Sequence, residues 1–192
     1  EEIRLARLIN DKVVYMGCFD DIMDVDPESE FAWEMLKKAG YEAYVASQKE
    51  KHRYASGNTR IVEHVILPGR IFVRTEDSNL MSIMTSFSSV YRFQINRAAA
   101  ADKYGNKPFA FVPTADMKRL MEFLEKSKTP VAITDEELKL GQKIKVVSGP
   151  LAGFEGWFYR KGSATYIVIM VNMGRNHYAH SEVSVNDICI IK

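Results

Sequence analysis

Apolar positions along the first part of the chain alternate between strand-like and helix-like patterns. The run "KVVYMGCF", Lys12 to Phe19, is rich in β-branched and aromatic residues and predicts a strand. In "DPESEFAWEMLKKAG", Asp26 can cap a helix, Pro27 suits its first turn and Gly40 can end it. The next run, "YEAYVA", predicts a second strand.

Later segments continue this alternation. "RIVEHVILPGRIFVRT" predicts two β runs separated at Pro68-Gly69, because proline cannot donate to a strand ladder. Helical spacing then predicts one helix after Asp77 and another after Thr114. Their apolar faces consist of Leu80, Ile83, Met84 and Phe87 in the first and of Met117, Leu120, Met121 and Leu124 in the second. With the strand candidates "VYRFQI" and "PFAFVP" between them, residues 1–127 predict an α+β domain, an antiparallel sheet with packed helices.

A second domain follows a break in the pattern. Residues 128–138 sustain no period and contain Pro130, so we expect a linker there. Residues 139–192 contain the runs "KIKVV", "GWFYR", "YIVIMV" and "DICII", separated by Gly-rich or polar turns. Short strands at this spacing predict a small all-β barrel.

Charge changes the picture only slightly. The 192 residues carry a formal net charge of +1. From Lys139 onward there are seven Lys or Arg against three Asp or Glu, and before it nineteen against twenty-two. Dedicated non-specific DNA-binding proteins are far more basic, so we expect any nucleic-acid contact to be local and assisted by a partner.

The remaining composition indicates a cytoplasmic protein, which we expect to be a monomer without membrane contact. No apolar stretch reaches membrane-spanning length, and no basic-plus-apolar signal segment is present. Cys18 and Cys189 lie near opposite ends without a CxxC pairing, so we expect both to be buried apolar residues.

No motif for catalysis or metal binding stands out. Walker A, nucleophile-elbow and zincin patterns are absent, so we predict a protein that is not an enzyme and needs no cofactor. An enzyme whose site is assembled from residues distant in sequence is the alternative. His177 and His180 form H-x-x-H, which we place on a loop without a third ligand and interpret as surface histidines.

The stretch "GQKIKVVSGPLAGFEGWFY" combines an alternating strand with three glycines. Ile144 and Val146 should point to one face, and Lys143 and Lys145 to the other. Gly149-Pro150 can turn the chain, while Gly153 and Gly156 allow positive φ or a close backbone approach. On these residues alone, a tight corner without function remains an alternative.

This stretch resembles the KOW motif of ribosomal proteins and transcription elongation factors. The residues that match are Gly141, Lys145, Val146, Gly149, Pro150, Gly153 and Gly156. Gln142 and Leu151 stand where the family commonly has Asp and Phe. The resemblance implies a second binding surface, for a ribosomal protein, a termination factor or RNA. We assign to it Lys143, Lys145, Gly149, Pro150, Gly153, Phe154, Gly156 and Arg160.

The preceding domain resembles the amino-terminal (NGN) domain of NusG. "HVILPGRIFVRT" is similar to its "PGYVFV" core strand, and the order of strands and helices is similar over nearly all of the chain. "KPFAFVPTADMKRLMEFLE" indicates the specialised UpxY-like branch of antiterminators. The chain departs from the family in "VVYMG", where Trp-Tyr is usual, and in an acidic insertion, Asp20 to Asp26.

The NusG resemblance implies a factor that binds the clamp helices of RNA polymerase and suppresses pausing or termination. By position, the apolar groove for these helices would be formed by Tyr15, Ile66, Leu67, Pro68 and Gly69, with Arg70 beside it. For Tyr15 and Ile66, a place in the core is an equal alternative. The alternative for the whole chain is a ribosome-associated RNA-binding protein that uses KOW alone.

A basic excursion between two predicted strands is a candidate nucleic-acid contact. Lys51, His52, Arg53 and Tyr54, with Arg60, combine cations with an aromatic ring that could stack an unpaired base. We expect contact with the non-template DNA strand of the transcription bubble. A solvated loop without function is the alternative.

Overall fold

The computed structural model describes residues 13–19, 32–53, 57–87 and 90–191, which form mostly sheet with few helices. They divide into two compact units, one from Glu1–Val45 with Leu67–Thr114 and one from Ala46–Ile66 with Ala115–Lys192. None of the described helices is long and apolar enough to cross a membrane. The predicted acidic insertion, Asp20 to Asp26, lies outside the described residues.

Strands and helices alternate along the described segments. In chain order, the strands are β1 (Val13–Phe19), β2 (Glu42–Tyr44), β3 (Ser47–Arg53), β4 (Thr59–Val65), β5 (Arg70–Thr75), β6 (Val90–Phe93), β7 (Phe111–Val112), β8 (Val131–Thr134), β9 (Lys143–Val146), β10 (Glu155–Lys161), β11 (Ala164–Asn172), β12 (Asn176–Glu182) and β13 (Ile188–Ile190). The helices are α1 (Ala32–Lys38), α2 (Leu80–Ser86), which follows a 3₁₀ turn at Asp77–Asn79, and α3 (Thr114–Lys126).

The first unit is an antiparallel sheet with helices packed against it. Its strand order is β2-β5-β1-β6, and β7 also pairs with β1. The core is formed by apolar side chains from β1, β2, β5, β6 and the helices, which are Tyr15, Leu36, Ala43, Ile71, Val73, Leu80, Ile83, Val90 and Phe93. Leu80 and Ile83 are one helical turn apart and therefore face the sheet together. The predicted apolar face of α2 is confirmed.

The second unit contains a six-stranded antiparallel sheet in the order β13-β9-β10-β11-β12-β8 and a separate two-stranded ribbon, β3-β4. Among the described residues, no pairing joins β13 to β8, so the predicted small barrel is not closed. The segment predicted as a linker contains β8, which pairs with β12. β8 and its partner β12 are far apart in sequence, so a local pattern does not reveal that they pair.

Helix α3 packs on this sheet through a face that differs from the predicted one. Met117, Leu120 and Leu124 are buried as expected, but Met121 is 40% exposed, and Phe123 is buried instead. The rings of Phe123 and Phe154 lie 5.5 Å apart in an edge-to-face arrangement. α3 therefore belongs, apart from its first residue, to the same compact unit as the C-terminal sheet. The predicted domains, 1–127, 128–138 and 139–192, stay a prediction.

Candidate functional site

The loop between β9 and β10 has the backbone geometry that its glycines predict. Gly149 has a φ of 80° and Gly153 a φ of 91°, values that L-residues with a side chain rarely adopt. The Gly153 amide donates to the Val146 carbonyl at 2.8 Å, and the Val146 amide donates to the Phe154 carbonyl at 2.8 Å. The loop thus folds tightly back into β10, as predicted.

Gly156 serves a different purpose, because it lies where two strands approach closely. A Cβ at this position would overlap the carbonyl oxygen of Val168 and lie 2.9 Å from Cγ1 of Ile167. Real Cβ atoms essentially never show such contacts. The prediction that the glycines shape this loop is confirmed, while its role in binding stays a prediction.

The basic strand β9 exposes its lysines and buries its apolar residues. Ile144 and Val146 are buried, whereas Lys143 and Lys145 are exposed. Both lysines pair with Glu155, Lys143 with Oε2 at 3.8 Å and Lys145 with Oε1 at 3.6 Å. Part of their charge is therefore already balanced, which weakens this strand as a phosphate-binding surface.

The predicted KOW face does not form one surface. Lys145 is paired with Glu155 in the sheet, and Arg160 is five residues further along β10 and so occupies the opposite face. Phe154 is only 8% exposed and packs against the ring of Phe123. Lys143 and Lys145 remain together, but Arg160 lies on the opposite face and Phe154 is buried.

The Pro68-Gly69 turn carries most of the predicted polymerase-binding residues. Pro68 is exposed, while Leu67 and Arg70 are half-buried. Gly69 has a φ of 66°, and the Arg70 amide donates to the Leu67 carbonyl at 3.3 Å. Ile66 is half-buried, and its amide donates to the Ala46 carbonyl at 2.7 Å within the second unit.

Tyr15 is a core residue. Its side chain is 5% exposed and belongs to the hydrophobic cluster of the first unit. The ring lies 6.3 Å from the ring of Phe93, and its hydroxyl donates to Asp77 Oδ1 at 3.3 Å. Tyr15 therefore occupies a core position, the alternative stated above, and we leave this residue out of the candidate binding surface.

The predicted nucleic-acid residues are distributed over the β3-β4 ribbon. Arg53 and Arg60 are exposed. In the strand register, His52 is opposite Arg60 and Lys51 is opposite Ile61. Tyr54 lies outside the described residues.

His177 and His180 lie in β12, so the predicted loop position is wrong. Residues three apart in a strand point to opposite faces, and the two imidazoles therefore cannot share a metal. His177 is buried and His180 half-buried, so neither is a surface histidine. The described segments contain no group of three or more His, Cys, Asp or Glu that could hold a metal ion.

Cys189 is exposed, contrary to the expectation that it is buried.

His180 belongs to an aromatic cluster that sequence reasoning missed. Its ring lies 5.4 Å from Tyr166 and 6.0 Å from Tyr159, and the two tyrosines are directly paired across β10 and β11. Burial lowers the pKa of His180 below its ordinary value of 6.5; the Tyr178 backbone opposes this, and the charge of Lys161 lowers the pKa further. The sequence shows the alternation of residues along β10 and β11. Only the register between the strands, which the sequence does not show, brings the three rings together.

The fold should therefore lose stability in mild acid. The unfolded chain binds a proton at His180 near pH 6.5, whereas the folded chain binds it only at lower pH, so unfolding takes up a proton in between. We expect a lower melting temperature at about pH 5.5 than at about pH 7.5, and a smaller difference in His180→Phe. Exposed His64→Phe is the control. An unchanged pH dependence in His180→Phe would contradict the assignment.

Comparison of the sequence with protein-family models and with curated proteins returned no match.

Proposed function

We propose that this chain is a transcription elongation or antitermination factor of the NusG type. Its first unit binds the clamp helices of RNA polymerase, and its second unit recruits a ribosomal protein, a termination factor or RNA. Holding the clamp closed over the nucleic-acid channel suppresses pausing or termination. The observation that best supports this proposal is the backbone geometry of the loop between β9 and β10.

That loop supports the KOW resemblance beyond its letters. Gly149 and Gly153 occupy the left-handed region, and Gly156 stands where no side chain fits. Three motif glycines thus have separate physical reasons to be glycine, which a chance match of letters would not require. The exposed Lys143 and Lys145 lie on the strand that leads into this loop.

In the first unit, the turn after β4 is the best candidate for the clamp helices. Leu67 and Pro68 present apolar surface at a tight turn, and Arg70 Nη1 donates to the Gly69 carbonyl at 3.1 Å, which holds the guanidinium beside the turn. A helix docks in such a place by burying a few apolar anchors. Ile66 is adjacent in sequence, and Arg53 and Arg60 of the ribbon are candidates for the non-template DNA strand.

The Leu67→Asp substitution tests this proposal. A carboxylate in a desolvated contact has no partner, so we expect binding to purified polymerase core, and to a fragment containing the clamp helices, to weaken by at least about 2 kcal/mol, or roughly thirtyfold. Binding is measured by surface plasmon resonance with the full chain.

The matched control is Met81→Asp, which places the same charge on a residue that is 62% exposed in α2 of the same unit. It should bind polymerase like the wild type, and thermal unfolding checks that both variants are folded. Strong binding to a structured RNA without any affinity for polymerase would overturn the proposal and favour the ribosome-associated alternative.

A further inference from the structure

The connection between β6 and β7 contains a basic loop, residues 96–107, with the sequence "NRAAAADKYGNK". Arg97, Lys103 and Lys107 are exposed, and Asp102 is the one acidic residue, so three positive charges less one negative give the loop +2. The whole chain carries only +1. Positive charge is thus concentrated on a short segment, where it attracts anions locally.

Hydrogen bonds hold this basic loop in a defined conformation. Asp102 Oδ1 accepts from the amides of Tyr104 and Asn106, both at 2.8 Å, and the Asp102 amide donates to the Asn106 carbonyl at 2.8 Å. Gly105, with a φ of 85°, closes this turn. At the start of the loop, Asn96 Oδ1 accepts from the amides of Ala98 at 3.1 Å and Ala99 at 3.2 Å.

The Asp102 carboxylate accepts hydrogen bonds from backbone amides of its own loop. The Asn106 amide is the main cause that holds the pKa of this carboxyl below its ordinary value; desolvation opposes this, and the Tyr104 and Gly105 amides lower the pKa further. Asp102 is therefore ionised near neutral pH and engaged with backbone donors. The three cations keep their attraction for an external anion, and a preformed loop loses little entropy on binding.

Tyr104 is presented at the tip of the same loop. Its side chain is 76% exposed, and the ammonium of Lys103 lies 4.9 Å from the ring centroid. Lys107 Nζ donates to the Arg97 carbonyl, so it stays beside the loop and keeps two further N–H donors. An aromatic ring with so much exposed surface contributes little to the core, yet one cation of the loop lies over it.

We propose that residues 96–107 bind unpaired nucleotides of a single-stranded nucleic acid. A base stacks on Tyr104, and Arg97, Lys103 and Lys107 contact the adjoining phosphates. Aromatic rings flanked by cations are the usual platform for single strands, because every base has a face that can stack. An acidic peptide would need the cations but not the ring, and a duplex has no free base faces. The inference is independent of polymerase binding.

Fluorescence anisotropy of the full chain with short labelled oligonucleotides tests the site. Oligothymidine, oligouridine and a DNA duplex of equal length are compared, and tighter binding of either single strand than of the duplex is expected. The preferred single strand identifies the sugar. Tyr104→Ala should weaken binding about tenfold, while Tyr104→Phe retains it, because stacking needs the ring and not the hydroxyl.

Salt dependence tests the cations separately. Combining Lys103→Ala with Lys107→Ala should reduce the slope of log affinity against log salt by about 1.4, which corresponds to two lost phosphate contacts. Lys118→Ala with Lys128→Ala removes the same charge from exposed positions outside the loop and should leave the slope unchanged. An equal reduction in both double variants would mean that net charge, not this loop, controls binding.

Asp102 provides the sharpest comparison. Asp102→Ala removes a negative charge but also the acceptor that holds two amides, so we expect single-strand binding to weaken severalfold. Asp102→Asn removes the same charge and keeps a carbonyl oxygen, so binding should be retained or tighter. Tighter binding by Asp102→Ala, unchanged binding by Tyr104→Ala, or equal binding of polyglutamate would each overturn the proposal.

Discussion

Replacing Gly156 by alanine is expected to destabilise the second unit by about 3 kcal/mol. The added Cβ would overlap the Val168 carbonyl oxygen and lie 3.2 Å from the Val168 carbonyl carbon. These are backbone atoms of β11, so no side chain can rotate away to make room. Because β10 pairs with β9 and β11 on its two sides, any shift of Gly156 also lengthens ladder hydrogen bonds.

Gly153→Ala separates this packing effect from the effect of backbone conformation. Gly153 has a φ of 91°, but a Cβ there would meet no atom within 4 Å. Its alanine variant therefore pays only for the left-handed conformation, about 1 kcal/mol. The chain has two tryptophans, so fluorescence of Trp157 in a Trp33→Phe background reports urea unfolding of the second unit. Equal losses in the two variants would refute the distinction between the glycines.

These glycines also mark where sequence reasoning works best. Gly149, Gly153 and the alternation in β9 are local features, because a turn and a half-buried strand are determined by neighbouring residues. The strand before α1 and the apolar face of α2 were predictable for the same reason. Their short-range patterns of 2 and 3.6 residues need no knowledge of a distant partner.

Features that depend on a distant partner could not be predicted. β12 reads "NHYAHSE", which has little strand character, but it lies between β11 and β8 and takes its conformation from them. Met121 and Phe123 both fit a helical pattern around Leu120, but Phe123 is buried and packs against Phe154, which is distant in sequence. Arg160 seemed to lie beside Lys143 because the register between their strands was unknown.

The candidate sites divide along the same line. The cations and the tyrosine of residues 96–107 are visible in the sequence. The sequence does not reveal that Asp102 accepts hydrogen bonds from backbone amides. Tyr15 was assigned to a binding groove by its position in the chain, and its burial follows from β5, β6 and α2 packing around it. Exposure, which decides whether a residue can bind, is a tertiary property.

The second large effect is expected at Gln48, a buried polar residue of β3 that is 6% exposed. Its side-chain amide donates to the carbonyls of Ser127 at 2.9 Å and Thr129 at 3.0 Å, and its Oε1 accepts from the Val131 amide at 3.0 Å. One side chain therefore attaches the β3-β4 ribbon to the segment that joins α3 to β8.

Gln48→Ala should destabilise this part of the second unit by about 3 kcal/mol, because three hydrogen bonds are lost and each contributes about 1 kcal/mol. Gln48→Glu should be at least as damaging, since a carboxylate cannot donate to two carbonyls and carries a buried charge. Lys49→Ala, at the next and exposed position, should have little effect.

Amide hydrogen exchange measures this locally. The Val131 amide donates directly to Gln48, so its protection should fall about a hundredfold in Gln48→Ala, while amides in β10 and β11 change much less. Unchanged protection at Val131 would mean that the ribbon is attached by other contacts. Since the ribbon also carries Arg53 and Arg60, the same variant should weaken any DNA contact that they make, without changing either cation. A polar anchor, rather than an apolar core, would then determine how this candidate binding element is presented.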